Sequence, residues 1–288
     1  MKFSVVIATK DRAALLDDAL ASLRAQRDAP EFEIVVVDNG SSDATPQIAR
    51  KHGALYAFVA EPNRGKARNA GVARATGDAI VFVDDDVVIP PHFLAAHARV
   101  HDEAIFPLAV SGPILNVADA RLRPEPTAAN FSRAFFVTCN VSVRAASLRA
   151  VGGFDESFDL YGWEDTELGA RLRAHGVRRA FAWDAYLWHI KPPTPESLEE
   201  ALGKAIEKAR MAARFVRKMP TRRIKLATGA YAFNLVRARI LAPPIAQPLF
   251  AGLATSTRVP AAVAQLARNA LLDSVYTEEL ERQLRRPT

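Results

Sequence analysis

Three segments of this chain are nearly unbroken runs of β-branched and apolar residues, and each stops at a polar one. They are Phe3 to Ala8 before Thr9, Ile34 to Val37 before Asp38, and Ile80 to Val83 before Asp84. Strands of that kind suit a sheet covered on both faces, which is the setting of parallel strands under helices. Helical spacing follows the first run, with Leu15, Leu16, Ala19, Leu20 and Leu23, and Asp11 stands where an N-cap would be. Ser42, Asp43 and Pro46 open a second short helix after the next run. Strand, helix, strand, helix predicts right-handed βαβ units and an α/β, mostly parallel sheet flanked by helices. Ligands of open α/β sheets sit beyond the carboxyl ends of the strands, so Thr9, Asp38 and Asp84 should converge on one site.

From about residue 100 to 195 the pattern predicts short helices near 91–101 and 145–150, a clearer one from Glu164 to His175, and strands near 180 and 187. Pro192, Pro193 and Pro195 mark a break, after which Leu198, Leu202, Ile206, Ala209, Ala213 and Val216 give a helix with an apolar stripe. Two regions are therefore expected: 1–195, divided near residue 100, and a basic, mainly helical 196–288.

Charge divides the same way. Residues 1–195 hold 22 Lys and Arg against 24 Asp and Glu, whereas 196–288 hold 16 against 8. Between Lys204 and Arg239 there are eleven basic residues and one acid, Glu207. One reading is an amphipathic surface for anionic lipid; the other is a solvated helical face packed on its own domain or on a second subunit. Pro243, Pro244 and Pro248 interrupt the longest charge-free stretch, which makes it a poor membrane span. The region shows no zinc-finger, RRM or KH pattern, which disfavours nucleic acid as a partner. A single cysteine, Cys139, excludes an intramolecular disulfide and a cysteine-rich zinc cage. With an opening apolar run too brief for a signal-peptide core, the expectation is a cytoplasmic protein, with peripheral contact to the inner membrane face as an extension of it.

Three constellations carry chemistry. Asp84-Asp85-Asp86 closes a strand, and alternation along an extended chain would aim Asp84 and Asp86 the same way. Paired carboxylates either hold Mg²⁺ or Mn²⁺ or form a solvated, helix-capping turn. Asp38-Asn39-Gly40-Ser41-Ser42-Asp43 supplies an acceptor for a base or sugar hydroxyl, or simply a tight turn with a cap. Gly152-Gly153-Phe154-Asp155-Glu156 with Gly162-Trp163-Glu164-Asp165-Thr166-Glu167-Leu168 puts acids at a helix start, where Asp165 is either a cap or a general base.

Taken together, these motifs resemble the family-two glycosyltransferases, inverting enzymes of the GT-A fold that use nucleotide-activated sugars. The resemblance covers about residues 3–190. It runs through Ser4 to Arg12, Val36 to Asp43, Asn63-Arg64-Gly65 with Ala67 to Gly71, Val83 to Asp86, Asn140 with Arg144, Gly152 to Glu156, and Glu164 to Leu168. It implies that Thr9, Asp11, Arg12, Asp38, Gly65, Arg68, Asn69, Asp84 and Asp85 surround the nucleotide sugar. Asp86, with Asp84 and His189, would hold Mn²⁺ or Mg²⁺. Asp165 would be the base beside Glu164, and Gly153, Phe154 and Trp163 would meet a saccharide or lipid-linked acceptor. Asn39 departs from the family's usual second aspartate, and the 63–69 segment is slightly shorter than usual. A sugar-phosphate nucleotidyltransferase would share the architecture, but Thr9-Lys10-Asp11-Arg12 stands where its glycine-rich loop belongs. A non-catalytic nucleotide-sugar binder would have no need of Asp165.

Overall fold

A computed structural model describes residues 1–191 and 196–286, which fall into two compact units: 1–159 with 164–191, and 160–163 with 196–286. The proline break expected at Pro192, Pro193 and Pro195 lies outside the described residues.

The first unit is an α/β sandwich. Its strands are β1 (Phe3–Thr9), β2 (Phe32–Asp38), β3 (Leu55–Phe58), β4 (Ala79–Val83), β5 (Val87–Val88), β6 (Leu108–Ser111), β7 (Ile114–Val117), β8 (Asn140–Arg144), β9 (Arg178–Phe181) and β10 (Leu187–Ile190). Helices α1 (Ala13–Arg24), α2 (Thr45–Lys51), α3 (Arg64–Arg74), α4 (Phe93–Asp102), α5 (Ala145–Ala150) and α6 (Glu164–Ala174) lie between them. A seven-stranded sheet runs in the order β3-β2-β1-β4-β8-β6-β9, with only β8 antiparallel to its neighbours, and β5-β10-β7 form a small second sheet.

Alternation along β1 shows why the apolar runs are continuous. Phe3, Val5 and Ile7 pack with Leu16, Leu20 and Leu23 of α1 and Phe93 and Leu94 of α4. Val6 points the other way, among Val35, Val37, Ala67 of α3, and Leu168 and Leu172 of α6. Both faces are thus buried, each large side chain contributing about 1.5–3 kcal/mol. Gly71 lets α3 approach closely, because a Cβ there would lie 2.4 Å from Val6 Cγ1.

The expected loop at 63–69 is the start of a helix: Asn63 caps α3 by accepting from the Lys66 N–H at 2.9 Å. Strands β3, β6, β7 and β8 were not anticipated, being short, or broken in pattern by Ser111, Asn116 and Ser142.

The second unit is helical, with α7 (Leu198–Lys218), α8 (Arg222–Thr228), α9 (Ala232–Leu241), α10 (Gln247–Thr255) and α11 (Ala261–Arg285). A reciprocal Ser197–Glu200 capping box starts α7. Ala209, Ala212 and Ala213 of α7 pack with Leu280 of α11, and Arg210 Nε donates to Glu279 at 2.8 Å. No helix among the described residues is long and apolar enough to cross a membrane.

Candidate active site

Parallel pairing sets Thr9 opposite Asp38, and Asp84 follows the end of β4 on the other side of β1. The strand ends thus bring the predicted residues to one edge, but they use them differently. Asp38 is fully buried; its Oδ1 accepts from the Ser41 N–H at 2.7 Å and its Oδ2 from the Tyr56 hydroxyl at 2.8 Å. Burial and Asp38 push the Tyr56 phenol up to about 12. Asp38 thereby braces the turn. Asp11 does not cap α1. It sits at φ +52 with its carboxylate turned to the Ser42 N–H and hydroxyl, while Asp43 Oδ2 accepts from the Ala13 N–H at 2.8 Å. Asn39 Oδ1 takes the Asn63 N–H at 3.1 Å, tying the β2 turn to the start of α3.

Beyond β4, the Arg12 guanidinium spans Asp85 Oδ1 at 3.0 Å and Asp86 Oδ2 at 2.9 Å. Burial raises the Asp85 carboxyl above its usual range despite Arg12. Burial works the same way on Asp86, but His189 and Arg12 outweigh it and hold Asp86 low. The Thr9 hydroxyl, buried beside them, opposes that rise of Asp85 as Arg12 does.

His189 reaches Asp86 through strand register. β10 pairs with β5 so that His189 lies opposite Val87, and the Ile190 N–H donates to Asp86 O at 2.7 Å. On its other side β10 pairs with β7, which puts His189 opposite Asn116. His189 Nδ1 is 3.1 Å from Asn116 Oδ1 and its Nε2 is 3.0 Å from Asp86 Oδ1, so the ring bridges the two side chains.

If the ring proton sits on Nδ1, the Nε2 lone pair and Asp86 Oδ1 would need a shared positive charge. Donors at neighbouring positions of an octahedral Mg²⁺ site, about 2.1 Å from the ion, would be about 3.0 Å apart, so the pair fits a divalent ion. Asp84, Cys139 and His189 also place ligand atoms within 4.8 Å of one another. Burial, reinforced by Asp84 and Asp86, drives the Cys139 thiol well above its ordinary value, so it stands there neutral.

A buried guanidinium joins this cluster to the second acid pair. Arg68 of α3 lies 3.2 Å from Glu164 Oε1, 3.5 Å from Asp165 Oδ1 and 3.9 Å from Asp84 Oδ1. Burial would lower its pKa, yet Asp165, Asp84 and Glu164 outweigh that and raise it. Asp84 and Glu164 are themselves raised, first by burial. Asp165 stands in the first turn of α6, not at a cap position, and its Oδ2 accepts from the Thr138 N–H at 3.0 Å and hydroxyl at 2.9 Å. One carboxylate oxygen is thereby fixed while the other faces the cleft cation.

The glycine-rich segment supports this helix edge. Gly153 has φ +69 and a Cβ there would come 2.6 Å from Asn69 Oδ1, which accepts the Phe154 N–H at 2.8 Å. Asn69 Nδ2 donates to Phe154 O and Glu156 Oε1, so Asn69 holds the loop instead of reaching outward. Phe154, expected to meet an acceptor, is buried, edge-on to Phe82 and beneath Arg68. Gly65 passes close to Phe154 Cβ and Asp155 O. Trp163 groups with the second unit, where its indole N–H donates to Lys208 O at 3.0 Å. These three residues shape the scaffold.

Thr9, Arg12, Arg68, Asp84, Asp85, Asp86, Glu164, Asp165 and His189 are thus brought together. Asn116, Thr138 and Cys139 were missed; the only sequence signal among them was the lone cysteine. A mostly parallel sheet with an aspartate cluster at its strand ends and a second acid pair on the neighbouring helix is the arrangement of the GT-A glycosyltransferase class. Residues 4–142 match the family described as glycosyl transferase family 2, and residues 125–193 match the N-terminal domain of galactosyltransferase. The chain belongs to glycosyltransferase family 2.

A validoxylamine A glucosyltransferase of Streptomyces hygroscopicus subsp. limoneus is 34% identical over 264 residues, covering 76% of this chain and 57% of the relative. A second, from subsp. jinggangensis, is also 34% identical and is covered over 61% of its length, so this chain spans about three fifths of these relatives. Among solved structures, residues 1–349 of Staphylococcus aureus TarS superpose with a TM-score of 0.56 at 23% identity, covering 98% of this chain and 90% of that one. A Pyrobaculum calidifontis mannosyltransferase in complex with GDP-Man and Mn²⁺ gives 0.61 at 21%, covering 98% and 85%. These two are likenesses of fold.

Proposed function

We propose that this protein transfers a sugar from a nucleoside-diphosphate sugar to an acceptor hydroxyl, by a single displacement that inverts the anomeric centre. The observation that carries the reading is that one buried guanidinium, Arg68, touches both Asp84 of the strand-end cluster and Asp165 of the acid pair. A donor's diphosphate at the first and an acceptor hydroxyl at the second would therefore be adjacent. Structures of relatives with UDP-GlcNAc and with GDP-Man support the donor class.

Asp84, Asp86 and His189 would hold a divalent ion, Mn²⁺ or Mg²⁺, which supplies positive charge to the departing diphosphate. Arg68 and Arg12 add fixed positive charge to the same edge, preorganised by their carboxylate partners. Thr138 holds one oxygen of Asp165, so the carboxylate is oriented to take the proton of the attacking hydroxyl. Glu164, buried and raised, stays beneath Arg68 as part of the support. The acceptor is a saccharide or a lipid-linked saccharide.

The test is release of nucleoside diphosphate from a panel of nucleotide sugars, with and without Mn²⁺, followed by the anomeric configuration of the product. Asp165→Asn should keep donor affinity while turnover falls by about two to four orders of magnitude. Retention of configuration, or near-normal turnover in that variant, would remove Asp165 from the role.

A further inference from the structure

Of the two readings of the amphipathic α7, the packed one holds for its apolar stripe: Ala209, Ala212, Ala213 and Val216 are buried, three of them against Leu280 of α11. A different surface of the second unit is left uncovered. Leu226 of α8, Phe233, Val236, Ile240 and Leu241 of α9, Ile245 of the following turn and Leu249 of α10 are all exposed. The degree is unusual for large apolar side chains, at 75% for Phe233, 72% for Ile240 and 91% for Ile245. Phe233, Val236 and Ile240 fall at i, i+3 and i+7, so α9 presents an outward apolar stripe while Ala238 faces in. An exposed patch of this kind marks an interaction surface.

Charge identifies the partner. From Lys208 to Leu272 the chain carries twelve Lys and Arg and no Asp or Glu. Arg222, Arg223 and Lys225 stand exposed on α8 beside Leu226. Arg210, Arg237 and Arg239 pair with Glu279, Asp273 and Glu281 of α11, but two copies meeting here would still bring Arg222, Arg223 and Lys225 of each together, which disfavours self-association. The exposed side chains are mostly aliphatic, whereas single-stranded nucleic acid is held by aromatic stacking. Apolar side chains beside basic ones match an anionic bilayer surface, where the first enter the acyl boundary and the second meet headgroups.

We propose that the outward stripe of α9, with the apolar side chain of the following turn and the basic residues of α8, docks the protein peripherally on an anionic membrane, with Phe233, Ile240 and Ile245 inserted. This surface is independent of the transfer chemistry, and its test contains no donor or acceptor.

The full chain is sedimented with vesicles of phosphatidylcholine alone and of phosphatidylcholine with phosphatidylglycerol, at low and high salt. Binding should need the anionic lipid and weaken with salt. The triple variant Arg222→Gln, Arg223→Gln, Lys225→Gln should bind about a hundredfold more weakly, from about a fivefold loss per basic residue. The triple variant Phe233→Ser, Ile240→Ser, Ile245→Ser should lose at least as much, with its fold intact by circular dichroism because all three side chains are already exposed. No pelleting with either vesicle, or equal binding by wild type and both variants, would overturn the proposal. So would concentration-dependent dimers in analytical ultracentrifugation that the serine variant abolishes, which would assign the face to a second copy.

Discussion

Replacing Arg68 by methionine removes the one cation within 4 Å of three carboxylates while keeping much of the side chain's volume and its contact with Phe154. At separations of 3.2, 3.5 and 3.9 Å and an effective dielectric near 20, each attraction is about 4–5 kcal/mol before desolvation. Removing one partner of such a buried set costs about 3–5 kcal/mol net, because the acids left behind escape further cost by taking up protons. For a unit of this size that is a fall in melting temperature of about 6–20 °C. The sign of the pH dependence is fixed by Asp84 and Glu164, whose carboxyls are already raised. Without Arg68 they rise further, so the native state holds protons that the unfolded state has released. Its stability then falls as pH rises from the unfolded carboxylate range upward. Thermal unfolding by circular dichroism should show a deficit against wild type that is small near pH 5 and full near pH 8. A deficit below about 1 kcal/mol, or one equal at both pH values, would refute the counterion role.

Asn116 touches the site only through His189, so Asn116→Ala should weaken Mn²⁺ binding about ten- to a hundredfold by calorimetry with the fold unchanged. Unaltered affinity would mean the ring proton is not held by Asn116. A second expectation concerns acid stability. His97 and His101 are buried and kept neutral, lowered to about 3 and about 4 first by burial, and linked through the Ser142 hydroxyl. Their folded values lie below the unfolded one, so the stability they contribute is whole above about pH 6.5 and is lost as pH falls toward 4. His101→Gln should flatten the pH dependence of urea unfolding between pH 6 and 4 by about one proton, and an unchanged slope would show that His101 is protonated in the native state.

What could be read in the sequence was whatever depends on one segment at a time. The runs ending at Thr9, Asp38 and Asp84 specified their strands because burial on both faces needs unbroken apolar sequence, and the strand ends then placed the aspartates. The same local reasoning put Asp11 at the cap of α1, where Asp43 accepts the Ala13 N–H instead, and left open what Asp38 does. A short acid after a strand caps a helix or faces a ligand equally well, and which it does depends on a neighbouring turn: Ser42 for Asp11, Ser41 and Tyr56 for Asp38. Asn116 and Thr138 were illegible for a stronger reason. Each matters through one partner far along the chain, His189 in one case and Asp165 in the other, and those partnerships exist only because β10 joins β7 in a particular register and α6 begins beside the entry to β8. A one-residue slip of β10 would turn His189 to the opposite face and leave Asp86 Oδ1 without its neighbour. The metal binding proposed for this edge would thus depend on sheet pairing as much as on the aspartates, and substitutions that loosen β5-β10-β7 should impair it without touching a ligand.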